Sequence, residues 1–397
     1  MRKNWQTDLV GRVVALLVVL QWATFQLLLR NWDRVEVAAR FFLGNDFAYL
    51  YSAAGYFLSG TSPYTERNFI PLPPALYLPI ALHHLSFWNA SIAFRTISFI
   101  LVMAAMLWLC YQLRLKAVNF ALVIVISLTY APFYSVLAGG NLDALMLTLL
   151  IFSCARSVEL RGAFLGMSIG TKFYSALILP VLVVRRRWRE ALWAVAVLML
   201  LLLPFARYVP EAFSSVLHRT GTLRLAGNES PAVLFILIFG ESHVWLWRSC
   251  YVLLWGGTLL TRLAADWIGK TNGDDERFRT LEYLPWMAAA PLLVLTYTGT
   301  ILLPMVALLI RRNQERKLSA AEWITAVGFL LTGAYPTVLS HLLSGLGIAS
   351  RSVETITIAV APLGVSAILI GSSLVAIGTL REVRSGNQSG MAGGTVP

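Results

Sequence analysis

Asp46 is the residue whose type and setting point most directly to chemistry. It lies in GNDFAYLYSAAGYFLSGTSPY, Gly44 to Tyr64, as a lone carboxylate among aromatic and small residues. Such a group can act as a general base for a hydroxyl at a membrane–water boundary. It can equally be a helix N-cap, because Asp and Asn accept an orphan N–H at a helix start, although Asn45 is also available for that task. A second constellation is GGNLD, Gly139 to Asp143. Asn141 and Asp143 suit a turn closed by a side chain, and the same two groups can orient a sugar or an acceptor. Lys172 stands inside the apolar stretch GAFLGMSIGTKFYSALILPVLVV. A Lys at the centre of a membrane helix costs roughly 2.5–3.5 kcal/mol, so it needs a partner or a wet cavity. His218, Arg219 and Arg224 share a polar loop, and guanidinium groups match phosphate oxygens. Asn228-Glu229-Ser230 follows in the same loop and precedes Pro231, which reads as a turn with a candidate binding amide at Asn228. Arg95 reads as a snorkelling residue near the end of a span.

These residues need a scaffold, and the composition says which kind. Of the chain, 57% is hydrophobic and only 13% charged, a balance that a water-soluble domain could not bury. Apolar runs long enough to span a bilayer recur, which predicts an all-α polytopic protein of the cell membrane. The formal net charge of +12 is spread in short basic clusters between the apolar runs. That is how membrane topology is encoded, and it argues against a nucleic-acid partner. Cys110, Cys154 and Cys250 show no metal or disulfide spacing, and the adjacent His83 and His84 point different ways. No metal and no cofactor is expected.

With all basic clusters in the cytoplasm, parity gives about eight full spans plus two broken helical hairpins. The breaks fall at Gly170-Thr171-Lys172 and Thr298-Gly299-Thr300. Asn31 to Ala90 becomes one large outer loop, because Pro71 to Trp88 cannot be a full crossing without upsetting the parity. In that loop Phe47, Leu50, Tyr51, Ala54 and Leu58 recur at helical spacing, which predicts an amphipathic juxtamembrane helix lying along the surface. Asp46 stands at its start. Residues 1–384 read as a single integral membrane domain, and 385–397 as a Gly/Ser-rich disordered tail.

The ordered set GNDFAYLYSAAGYFLSGTSPY, a Pro-Pro pair before an apolar stretch, GGNLDALML, GAFLGMSIGTKFYSALILPVLVVRRRWR and a later NES resembles glycosyltransferase family 87. That family belongs to the GT-C superfamily of membrane glycosyltransferases. The resemblance implies a GT-C-like fold and transfer of a sugar, typically mannose, from a polyprenyl-phosphate donor. It implies a glycolipid or glycan acceptor at the outer face, and no metal. It also implies that Asp46 matches the family's catalytic base. One departure is visible: many relatives carry Trp and His in the outer turn of the late hairpin, and this chain has TYTGT there, Thr296 to Thr300. The competing expectation is a secondary transporter or lipid flippase, since broken hairpins are common in transporters. The absence of an internal repeat and the clustering of acidic residues outside the midplane argue for the enzyme.

Overall fold

The computed structural model describes residues 45–66, 68–218, 230–268, 274–290, 296–333, 343–344, 346, 348 and 350–392. Within them the α-helices are α1 Asn45–Leu58, α2 Tyr77–Leu82, α3 Phe87–Gln112, α4 Ala117–Thr129, α5 Ala131–Gly139, α6 Asp143–Phe152, α7 Val158–Thr171 and α8 Ile178–Val184. They continue as α9 Trp188–Leu202, α10 Val209–His218, α11 Ala232–Phe239, α12 Val244–Ile268, α13 Leu284–Ala289, α14 Leu303–Glu315, α15 Ala320–Thr332 and α16 Ser350–Ala392. Among the described residues there is no strand.

Among the described residues, three helical stretches are long and apolar enough to cross a membrane: Phe87–Gln112, Trp188–Ser215 and Ile358–Gly378. A fourth results if α4 and the Pro132–Gly139 part of α5, bent by 53°, count as one span. The bend has a local cause. In a continuous helix Pro132 would clash with the carbonyl of Leu128 and could not donate to it, and Tyr130 is extended at ψ 116°. Shorter apolar helices are Pro73–Leu82, Asp143–Phe152, Phe173–Val184 and Ala320–Thr332. The ten residues of α6 reach only ~15 Å against the ~30 Å of a hydrocarbon core. Val13 to Leu29, expected as the first crossing, lies outside the described residues.

The helix breaks at Lys172, where the sequence places the first break. α7 ends at Thr171, Lys172 is extended at φ −146° and ψ 123°, and a 3₁₀ turn over Phe173–Leu177 leads into α8. In the second, α13 ends at Ala289 and a 3₁₀ turn over Thr296–Leu302 leads into α14. Pro71 to Trp88 makes only a 3₁₀ turn, Pro73–Leu76, and the short α2 before α3 begins at Phe87.

By its internal contacts the chain groups into two compact units. One is Met1–Ser175, Leu192–Thr222 and Thr296–Glu315. The other is Ala176–Ala191, Leu223–Leu295 and Arg316–Pro397. In the first, α1 buries Phe47, Leu50, Ala53 and Ala54 against Phe69, Leu76, Ala90, Phe94 and Leu142. Fully burying a side chain such as Phe47 contributes about 1.5–3 kcal/mol. This is the amphipathic face foreseen in the sequence, except that Leu58 at its end is exposed.

The second unit is built on close helix packing and buried charge. α15 and α16 approach until a Cβ on Gly328 would come 2.6 Å from the carbonyl oxygen of Gly364. Arg185 pairs with Asp266 at 3.0 Å, Arg262 pairs with Asp266 at 3.4 Å and with Glu282, and the Tyr283 hydroxyl donates to Asp266 at 2.7 Å. Arg316 grips the buried Glu322 with two hydrogen bonds of 2.8 Å each, and Ser319 and Glu322 form a capping box at the start of α15. α16 continues as helix to Ala392, past the Ser385 from which the sequence reads as tail, and 393–397 lie outside the described residues.

Candidate active site

Asp46 is the second residue of α1 and lies in its first turn, where a carboxylate is favoured by the helix dipole. Phe47 anchors this turn: its ring packs on Phe94 with centroids 4.9 Å apart, and on Phe87 and Tyr51 at 6.0 Å. The half-buried carboxylate of Asp46 is therefore held by a rigid apolar neighbour. Its partner comes from far along the chain: Asn141 Nδ2 donates to Asp46 Oδ2 at 2.5 Å.

A tight helix end brings Asn141 there. α5 closes at Gly140, which is left-handed at φ 64° and ψ 44°. Gly140 N–H donates to the Leu137 carbonyl and Asn141 N–H to that of Val136, a double closure that a residue with a Cβ resists. A Cβ on Gly140 would also sit 2.7 Å from Phe47 Cβ. Two glycines in a row thus let the end of α5 press onto the start of α1. Asn141 then turns back on the chain, its Oδ1 accepting from Asp143 N–H at 2.9 Å. The turn reading and the contact with Asp46 are both realised in one side chain.

Asp143 opens α6 and is fully buried. Its Oδ2 lies 3.0 Å from Lys172 Nζ, and its Oδ1 accepts from the Tyr174 hydroxyl. Lys172 also lies 5.6 Å from the centre of the Tyr174 ring. The break after α7 is what makes this possible: the extended Lys172 and the turn that follows aim both side chains at one carboxylate. A cation in this apolar stretch needs a partner, and Asp143 is that partner.

Burial raises the Asp46 carboxyl above the usual carboxylate range, and the nearby Asp143 charge adds to the rise. The Asn141 hydrogen bond and the Lys172 charge oppose it. A carboxylate raised in this way is a stronger base than a solvated one, and it works best when its pKa approaches the working pH.

Four of the residues singled out in the sequence, Asp46, Asn141, Asp143 and Lys172, thus form one connected cluster. Asp143 is engaged by protein groups on both oxygens, so contact with a substrate would require that pairing to open. Arg219, Arg224 and Asn228 lie outside the described residues. Tyr174 is the functional candidate that sequence reading missed. Its only signal was a place two residues beyond Lys172, in KFY. Arg95 is buried in α3. Among the described residues, no group of three His, Cys, Asp or Glu side chains could hold a metal.

Residues 71–281, just over half of the chain, match the model of glycosyltransferase family 87. The chain belongs to glycosyltransferase family 87. It is a membrane glycosyltransferase, so it moves a sugar from a donor to an acceptor. No curated protein matches it. The family 87 match contains Asn141, Asp143, Lys172 and Tyr174, while Asp46 precedes it. The case for Asp46 therefore rests on its own geometry and on its resemblance to the family's pattern.

Proposed function

We propose that the protein transfers a sugar, mannose on the strength of the family resemblance, from a polyprenyl-phosphate donor to an acceptor hydroxyl at the extracytoplasmic face, with Asp46 as general base. The acceptor is a glycolipid or glycan. In this reading residues 1–384 act as one GT-C-type membrane domain of about eight spans and two broken hairpins in the cell membrane, with both termini in the cytoplasm. Asp46 and the Asn141 turn then lie on the outer side.

The reaction balances without an added co-reactant. The acceptor oxygen attacks the anomeric carbon, its proton passes to Asp46, and the bond from that carbon to the phosphate oxygen breaks. Polyprenyl phosphate leaves with the electron pair. Arg219 and Arg224 are the proposed phosphate ligands, with Asn228 beside them in the same loop. Lys172 is the next cation in line, since its ammonium sits in the cluster, 3.0 Å from Asp143 Oδ2. General-base catalysis supplies typically ~10²–10⁴-fold, and positioning and charge stabilisation account for the rest.

One observation carries the assignment: Asp46 is pinned through Oδ2 by Asn141, while among the described residues its Oδ1 has no hydrogen-bond partner. The test is transfer from polyprenyl-phosphate mannose by purified Asp46→Asn, with a lipid extract as the acceptor source. Asn keeps the size and an oxygen acceptor at the helix start. The expected result is normal folding with turnover down by at least ~10²-fold. Turnover within a few-fold of wild type would return Asp46 to a helix-start role.

A further inference from the structure

We propose that Asn141 is the positioning residue of the base: it pins Oδ2 of Asp46 and leaves Oδ1 as the oxygen that receives the acceptor's proton, held in that orientation by the Lys172–Asp143–Tyr174 clamp. This rests on the reading of Asp46 as the base, but it assigns Asn141 and Asp143 a task other than touching substrate.

The orientation of the Asn141 amide follows from its neighbours. Oδ1 accepts from Asp143 N–H at 2.9 Å, so Nδ2 is the end turned to Asp46. Reversing the amide would set an oxygen against a carboxylate and an NH₂ against an N–H, two repulsive contacts in place of two hydrogen bonds. Asn141 is only 5% exposed and its backbone N–H is already spent on Val136, so it has little freedom to swing toward a ligand. The residue that orients it is fixed in turn. Asp143 has no exposed surface, and its two oxygens face Lys172 and Tyr174. Asp46, Asn141, Asp143 and the first-hairpin break thus form a continuous chain of polar contacts that ends on one carboxylate oxygen.

Among the described residues, the charged groups acting on Asp46 are few. Asp143 and Lys172 act on it from the start of α6 and the end of α7. At the end of α2, His83 stacks on Tyr51 with centroids 4.5 Å apart, a turn or more along α1. On the other elements that touch α1, α3 carries the buried Arg95, and the turn beyond the far end of α1 carries Tyr64 and Glu66. None of these replaces the donor that Asn141 supplies to Oδ2. A donor to the ionised form favours ionisation, so its removal must move Asp46 toward the protonated form.

The experiment reads that directly and needs no knowledge of the acceptor. Dicyclohexylcarbodiimide reacts with protonated carboxyls in apolar surroundings. Its labelling of Asp46, followed by peptide mass spectrometry across pH, gives the midpoint of Asp46 titration in the full-length protein. Asn141→Ala is expected to raise that midpoint by about one pH unit. Asn141→Asp keeps the shape and the acceptor for Asp143 N–H, and sets a second carboxylate against the first. It is expected to raise the midpoint further, and it guards against a packing defect in the Ala variant. An unchanged midpoint in both variants, with only thermal stability or the KM for donor altered, overturns the proposal. If instead the midpoint moves while Asp46→Asn still turns over normally, Oδ1 has no acceptor proton to receive, and both this assignment and the base reading fall. A moved midpoint with an inactive Asp46→Asn supports both.

Discussion

Two charge clusters in this protein each centre on a buried aspartate facing a cation and a tyrosine hydroxyl, and they are finished differently. In the second unit, Asp266 accepts from Arg185, faces Arg262 and also takes the Tyr283 hydroxyl. Arg279 lies 3.6 Å from its other oxygen, and Glu276 and Glu282 balance the remaining arginine charge. Every acid there is tied to a base, and the group joins α12 to the Asp274–Tyr283 turn and to the residues after α8. In the first unit, Asp143 faces Lys172 and Tyr174, but the chain continues through Asn141 to Asp46, which among the described residues is engaged on one oxygen only. Saturated pairing holds elements together and leaves nothing to react. In the proposed mechanism, the Asp46 oxygen that Asn141 does not hold is the one that works.

The comparison breaks most sharply through a crossover of two variants. Asp46→Asn is expected to lose at least ~10²-fold in turnover with its melting temperature near that of wild type. Asp266→Ala is expected to do the reverse. It strands buried arginines and lowers stability by about 3–5 kcal/mol, while turnover per folded molecule is kept. Thermal unfolding and transfer assays on the two purified variants decide it, and loss of turnover in folded Asp266→Ala would remove the distinction.

A smaller effect is expected at Gly140. Gly140→Ala costs about 1–2 kcal/mol for the left-handed backbone, and its Cβ pushes Phe47 away. Since Phe47 adjoins Asp46, turnover should fall further than the stability loss explains; an activity drop matching only the unfolded fraction would detach the glycine turn from the site. Tyr174→Phe removes one of the two groups on Asp143 and leaves Lys172. It should lower stability by about 1 kcal/mol and reduce turnover by only a few-fold. A loss as large as that of Asp46→Asn would make Tyr174 a direct participant.

The smallest expected signal is the pH dependence of stability. Asp46 has a raised carboxyl in the folded state, so the native protein binds its proton more tightly than the unfolded chain. Its favourable contribution is present below the unfolded pKa and is lost as pH rises through the folded one. Asp46→Asn should therefore melt slightly above wild type at alkaline pH, with the difference vanishing in acid. For the same reason the acid limb of wild-type activity should lie above the ordinary carboxylate range. An acid limb at or below that range would contradict the burial of the group.

Composition and periodicity were enough to establish a helical membrane protein, the amphipathic α1 and the break at Lys172. Each is a local consequence of where apolar side chains, glycines and one awkward cation fall along the chain. Asp46, Asn141, Asp143 and Lys172 could also be picked out singly, because an isolated polar group in an apolar stretch needs a reason. What the sequence could not say is that these four touch. Asp46 and Asn141 are 95 positions apart, and no local rule specifies a contact at that range. Nor could it distinguish the arginines near 185 as signals of membrane orientation from arginines consumed by Asp266 and Glu276, since both uses leave the same basic cluster in the sequence. Tyr174 was illegible for a related reason: an aromatic beside an apolar run is ordinarily packing. Only the tertiary fold turns its hydroxyl onto Asp143, because the chain must first break at Lys172 and fold back before the two can meet.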